Sequence, residues 1–148
     1  MRLVHLAHVP RQIGRTTMFT DPPSDLAFKQ SLSAATIFDP APAEEIRALD
    51  PDGATRLLQR IVRRFIEGLP EQLAAMRAQG DDGRAIARRA AHSLKSAAAQ
   101  LGAKRLALHA ARVEEYLRDG HVGGAESLCD ELRIAAEEVM PHLEALAR

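Results

Sequence analysis

The chain has 148 residues, 46% of them hydrophobic and 27% charged, with 20 Lys+Arg against 20 Asp+Glu. That is the size of one globular domain, too short for two independent enzyme domains and too apolar for a disordered charged tail. Aromatic residues make up only 3% and Trp is absent, which argues against a β-sandwich or a base-stacking platform and predicts an all-α fold.

Residues 1–38 mix Pro10, Pro22, Pro23 and Gly14 with many Ser and Thr and show no sustained helical period, so they read as a flexible N-terminal extension, with Met18 as a candidate start. Residues 1–9 are apolar but broken by Arg2, His5 and His8, and no small-residue cleavage site follows, so a signal peptide is not expected. The folded domain is expected over residues 39–148. Asp39-Pro40-Ala41-Pro42 ahead of residues 43–49 predicts a short leading helix with acids in its first turn. Asp50-Pro51 offers an N-cap followed by proline at the first helical position, and predicts the start of a longer helix. Its apolar stripe is Leu58, Val62, Phe65, Leu69, Leu73 and Met76, with Pro70 as a kink. Asp81 and Asp82 are expected to cap the next helix, whose stripe is Ile86, Ala90, Leu94, Ala97 and Leu101, with Gly102 as a left-handed C-cap. A further helix carries Leu106, Ala110, Val113 and Leu117 up to Gly120. Gly123-Gly124 breaks the chain before a last helix with Leu128, Leu132, Ala135, Val139 and Leu146, in which Pro141 is a second kink. Four long amphipathic helices joined by short loops predict an antiparallel up-down four-helix bundle, closed within one chain as a monomer.

The chemistry open to such a bundle is narrow. There is no Gly-x-Gly and no Gly-Lys-Ser/Thr, so neither a dinucleotide fingerprint nor a phosphate-cradling loop is present. No acid stands three residues before any of the six histidines, which excludes the Glu-x-x-His pairs of a di-iron bundle. The single cysteine, Cys129, permits neither an internal disulfide nor a Cys-based zinc site, and no metal site or cofactor is expected. No apolar run approaches the roughly 18 residues that span a bilayer, so a cytoplasmic protein without a membrane partner is expected. Ser96 and Cys129 lack a nucleophile elbow, and spacing yields no triad.

One helix stands apart. In Ala90-Ala91-His92-Ser93-Leu94-Lys95-Ser96-Ala97-Ala98-Ala99, small residues leave His92 standing above its own helix surface, open to a large partner. Arg88, Arg89, Lys95 and Ser96 lie three or four residues away and share its side of the helix, placing cations and a hydroxyl where a phosphoryl group would sit. A lone helical histidine is ordinarily the end of a core stripe or a solvated side chain, and only its surroundings argue for more.

His92-Ser93-Leu94-Lys95-Ser96, followed by Leu101-Gly102-Ala103 and then Leu106 and Val113-Glu114, resembles the signature of histidine-containing phosphotransfer (HPt) domains, His-x-Leu-Lys-Gly/Ser with Leu-Gly-Ala further on. The resemblance covers roughly residues 39 to 146. Leu49-Asp50-Pro51-Asp52-Gly53 and Phe65-Ile66-Glu67-Gly68-Leu69-Pro70-Glu71 also look like segments that open the bundle in that family. Ser96 departs from the glycine most frequent there, but it is also small. The resemblance implies relay of a phosphoryl group between His92 and the aspartate of a response-regulator receiver domain, supplied through a hybrid histidine kinase, without autonomous kinase activity. It implies that Lys95 offsets charge on the phosphoryl oxygens, that Glu114 hydrogen-bonds the histidine ring, and that magnesium belongs to the receiver. Arg88, Arg89, Ser96, Ala99 and Phe65 are the expected partner-binding residues.

Charge distribution points the same way. Residues 56–112 hold 12 Lys+Arg and 4 Asp+Glu, a balance of +8, and residues 113–148 hold 3 and 9, a balance of −6. A basic side around His92 suits an acidic receiver pocket. It lacks the recognition-helix motif or aromatic platform that would make it a nucleic-acid surface. His109 reads as a boundary residue, His121 and His142 sit beside a helix start and a kink, and His5 and His8 fall in the extension. The alternative to a phosphorelay intermediate is a helical interaction module that docks partners without phosphorylation.

Overall fold

Alanine, leucine and arginine at helical spacing leave the backbone little choice but to bond within itself, and the computed structural model, which describes residues 23–121 and 125–148, contains helices and no strand among them. The helices are α1 Pro23–Ala34, α2 Ala41–Ala48, α3 Leu57–Ala75, α4 Gly83–Gln100, α5 Lys104–Arg118 and α6 Ala125–Leu146. The all-α expectation agrees with this. The expected break at Gly123-Gly124, the candidate start Met18, and His5 and His8 lie outside the described residues.

Helices α3 to α6 share the core. The most extensive packing is α4 on α5, followed by α5 on α6, with α3 set against both α4 and α6. Leu94, Leu101, Leu106, Leu132, Leu143, Val62, Val113 and Val139 are fully buried between them. Pro70 and Pro141 lie inside α3 and α6, which continue past them. Helix α2 closes the α4–α5 corner. There Asp39 donates its N–H to the Gly102 carbonyl at 2.8 Å and accepts from Lys104 Nζ at 2.7 Å. Gly102 has φ +82, and a Cβ there would lie 1.9 Å from the Asp39 carbonyl oxygen, so both conformation and space demand glycine. Among the described residues no helix is long and apolar enough to cross a membrane.

Four local expectations are corrected. Residues 23–34, read as part of an extension without helical period, form α1, which packs on α5. The reason is tertiary: Phe28 gains a partner on α5 that its own segment does not advertise. The long helix starts at Leu57 rather than at Asp50-Pro51. Asp50 still caps it, but from a distance, its carboxylate accepting from the backbone N–H of Thr55 at 3.3 Å and of Leu57 at 3.2 Å. Asp82 takes the N-cap position of α4 but makes no side-chain cap hydrogen bond. The buried stripe of α4 is Ala87, Ala91, Leu94, Ala98 and Leu101, while Ile86 is 40% exposed. With alanine on several sides of the helix, periodicity alone does not choose between adjacent stripes, and close approach by α5 selects the smaller one.

Candidate functional site

Ala87, Ala91 and Ala98 are buried on the inner face of α4, so α5 comes close enough for side chains of the two helices to meet at the surface. His92 stands on the opposite, outer face, with its side chain 62% exposed. Its Nδ1 lies 2.8 Å from Glu114 Oε1 on α5. The second oxygen, Glu114 Oε2, accepts from Lys95 Nζ at 2.6 Å. Glu114 is thus shared between two α4 residues one turn apart and is itself only 16% exposed.

The electrostatics decide the tautomer. The Lys95 hydrogen bond, more than any other contact, holds the Glu114 carboxyl below its ordinary value; the bond to His92 adds to this and burial opposes it. Glu114 is therefore ionised at neutral pH. An ionised carboxylate only accepts, so Nδ1 of a neutral His92 carries the hydrogen and Nε2 keeps its lone pair on the solvent side.

Arg88, Arg89, Ser96 and Ala99 are all exposed and share the outer face of α4 with His92. Lys95 is also on that side, yet its ammonium is turned onto Glu114 rather than left over the open face. Phe65 is placed elsewhere: it is half-buried on α3 against the core and lines, with Ala90, Ala97 and Leu101, a groove of about 740 Å³ between α3 and α4. Among the described residues no three His, Cys, Asp or Glu side chains gather as metal ligands.

A second polar cluster went unread in the sequence. On the side of α5 facing away from Glu114, the Phe28 ring meets His109 edge-on with centroids 5.6 Å apart, and the Arg112 guanidinium lies 5.7 Å over the same ring. His109 is buried, at 7% exposure, and burial pushes its pKa below the ordinary 6.5, opposed by Glu131 and Glu138. A groove of about 990 Å³ runs beside it between α1, α5 and α6. The sequence signal for this cluster is the i, i+3 pair His109 and Arg112, and it is α1 that brings the Phe28 ring against both.

A family model described as Hpt domain matches residues 60–142, more than half of the chain. The match begins inside α3 and ends inside α6, and it includes His92, Lys95 and Glu114. No curated protein and no solved structure matches the chain.

Proposed function

The chain belongs to the Hpt domain family, which serves phosphotransfer in two-component signalling, and from that premise we propose that His92 exchanges a phosphoryl group with the aspartate of a response-regulator receiver domain. The observation that carries this is the His92 Nδ1 to Glu114 bond of 2.8 Å on an otherwise open face, which leaves Nε2 as the free nucleophile.

In this reading the Nε2 lone pair attacks the phosphorus of a receiver aspartyl phosphate. The N–P bond forms as the P–O bond breaks, and the aspartate leaves with the bonding electrons as a carboxylate. The imidazole gains positive charge in the process, and Glu114 meets it through the Nδ1–H bond. The reverse step returns the phosphoryl group. Magnesium would be held by the receiver rather than by residues of this chain, and there it would offset charge on the phosphoryl oxygens. Ser96 and Ala99 keep the surface around the ring low, and Arg88 and Arg89 supply positive charge to an acidic partner. The phosphoryl group enters from a hybrid histidine kinase through its receiver. The scaffold for this is an antiparallel up-down arrangement of α3 to α6 acting as a monomer in the cytoplasm, with residues 39–148 as the transferring unit.

The test mixes a purified receiver carrying labelled aspartyl phosphate with the wild-type chain and with His92→Gln. Acid-labile, base-stable phosphate is expected on the wild type and none on the variant, whose circular dichroism stays helical. Equal uptake by His92→Gln would end this reading.

A further inference from the structure

We propose that Lys95 works on the transfer through Glu114, as a positioning residue, and that the cations facing the phosphoryl group on His92 are Arg88 and Arg89. The inference rests on the reading of His92 as the phosphoryl carrier. It assigns to different residues two roles that the position of Lys95, three residues after His92, would give to one.

Glu114 has two oxygens, and each is taken by one α4 side chain. Oε1 holds the ring Nδ1 at 2.8 Å and Oε2 holds Lys95 Nζ at 2.6 Å. The ammonium therefore lies on the Nδ1 side of the ring, behind the carboxylate, whereas the reacting Nε2 points the other way. For Lys95 to meet a phosphoryl group it would have to give up a charge-assisted bond to a carboxylate that is 16% exposed, leaving that charge without its strongest partner. What Lys95 does in place is hold Glu114 ionised and aimed at Nδ1.

The open face offers other cations. Arg88 and Arg89 stand one turn toward the N-terminus of α4, both exposed, and among the described residues neither enters an ion pair. They lie four and three residues before His92 on the same outer face of α4, the spacing at which helical side chains come within reach of one another. A guanidinium presents paired donors to two phosphoryl oxygens at once, and a long side chain anchored only at its Cα has the reach to do so.

The experiment is a double-mutant cycle read as the rate of transfer from a phosphorylated receiver. Lys95→Met, and separately Arg88→Ala with Arg89→Ala, are measured in the wild-type and in the Glu114→Gln background at saturating receiver. If Lys95 acts through Glu114, Lys95→Met slows transfer roughly tenfold in the wild type but by less than about twofold once Glu114 is already glutamine. Lys95→Arg, which keeps a cation for Glu114, restores most of the rate. In Lys95→Met the Glu114 carboxyl, followed by carbon NMR, titrates at higher pH than in the wild type, and in the double arginine variant it does not move. Removing both arginines lowers the rate by a similar factor in both backgrounds. An equal Lys95→Met penalty in the two backgrounds would overturn the role given to Lys95, and an unchanged rate without Arg88 and Arg89 would overturn theirs. Should Lys95→Met lose its helical circular dichroism, Lys95→Gln carries the same comparison. Either failure leaves the carrier reading standing so long as His92→Gln accepts no phosphate.

Discussion

Glu114 is where the residues of the site meet, and its titration has a sign that can be checked. Its folded pKa lies below the ordinary 4.5, first because Lys95 donates to it, so the contribution of this network to stability is present above the ordinary carboxylate range and is lost as pH falls through the folded value. Glu114→Gln should leave His92 able to accept phosphate but slow the step by about tenfold or more, because a neutral amide meets less of the charge that develops on the ring. Initial rates of uptake from a phosphorylated receiver check this. An unchanged rate would remove Glu114 from the mechanism. His109 carries a second prediction. Its folded pKa is pushed below 6.5 by burial, so as pH falls through 6.5 the unfolded chain binds a proton that the folded one refuses, and stability declines. His109→Gln should flatten that decline, measured as urea midpoints at neutral pH and at successive points below 6.5; a slope identical to the wild type would show that another group causes it. The role of His92 as an exposed side chain was legible because its neighbours in sequence are so small. The Lys95–Glu114 pair was not, since nineteen residues and a helix corner separate the partners and only the packing of α5 on α4 brings them together.

Helices α3, α5 and α6 could be read from their stripes because Leu58, Val62 and Leu69, then Leu106, Val113 and Leu117, then Leu132 and Val139 recur at helical spacing and are buried. Helix α4 buries Leu94 and Leu101 as its stripe predicts, but in place of Ile86, Ala90 and Ala97 it buries the adjacent Ala87, Ala91 and Ala98, small enough to let α5 close in. Helix α1 was missed for a related reason, since Phe28 and Leu32 make too short a pattern on their own and the helix depends on its contact with α5. The start of α3 went wrong because Asp50-Pro51 carries the right residues for a helix start, and the structure uses Asp50 to cap from seven residues upstream of Leu57 instead. Stability measurements follow these assignments. Leu94, with no exposed surface, should cost about 2 to 5 kcal/mol when cut to alanine, whereas the half-buried Phe65 should cost only about 1 to 2 kcal/mol. Denaturant midpoints distinguish the two, and equal losses would place Phe65 in the core proper. Gly102→Ala should destabilise more than an ordinary exposed-turn change, because the added methyl runs into the Asp39 carbonyl where φ is already +82. A midpoint matching the wild type would mean the α2 corner yields freely.

At the scale of the whole chain, a zero net charge conceals +8 over residues 56–112 and −6 over residues 113–148. Part of this imbalance is taken up by ion pairs within the chain, where Arg77 reaches Asp130 at 2.6 Å and Arg105 reaches Glu138 at 3.2 Å across the surface. What remains on the His92 face is Arg88 and Arg89, enough to make association with an acidic receiver fall with ionic strength. Between low and physiological salt the association rate should drop by about tenfold, and stopped-flow measurement would show it. A rate indifferent to salt would mean that these arginines do not steer the encounter. The central claim, that His92 is the phosphoryl carrier and reacts at Nε2, is tested most directly by locating the phosphate after transfer. With histidine labelled in both ring nitrogens, phosphorus–nitrogen NMR of the chain treated with a phosphorylated receiver should show one phosphohistidine, at His92, with phosphorus bonded to Nε2 and the hydrogen still on Nδ1. Phosphate on Nδ1 of His92, on His109 or any other histidine, or on none would contradict the account.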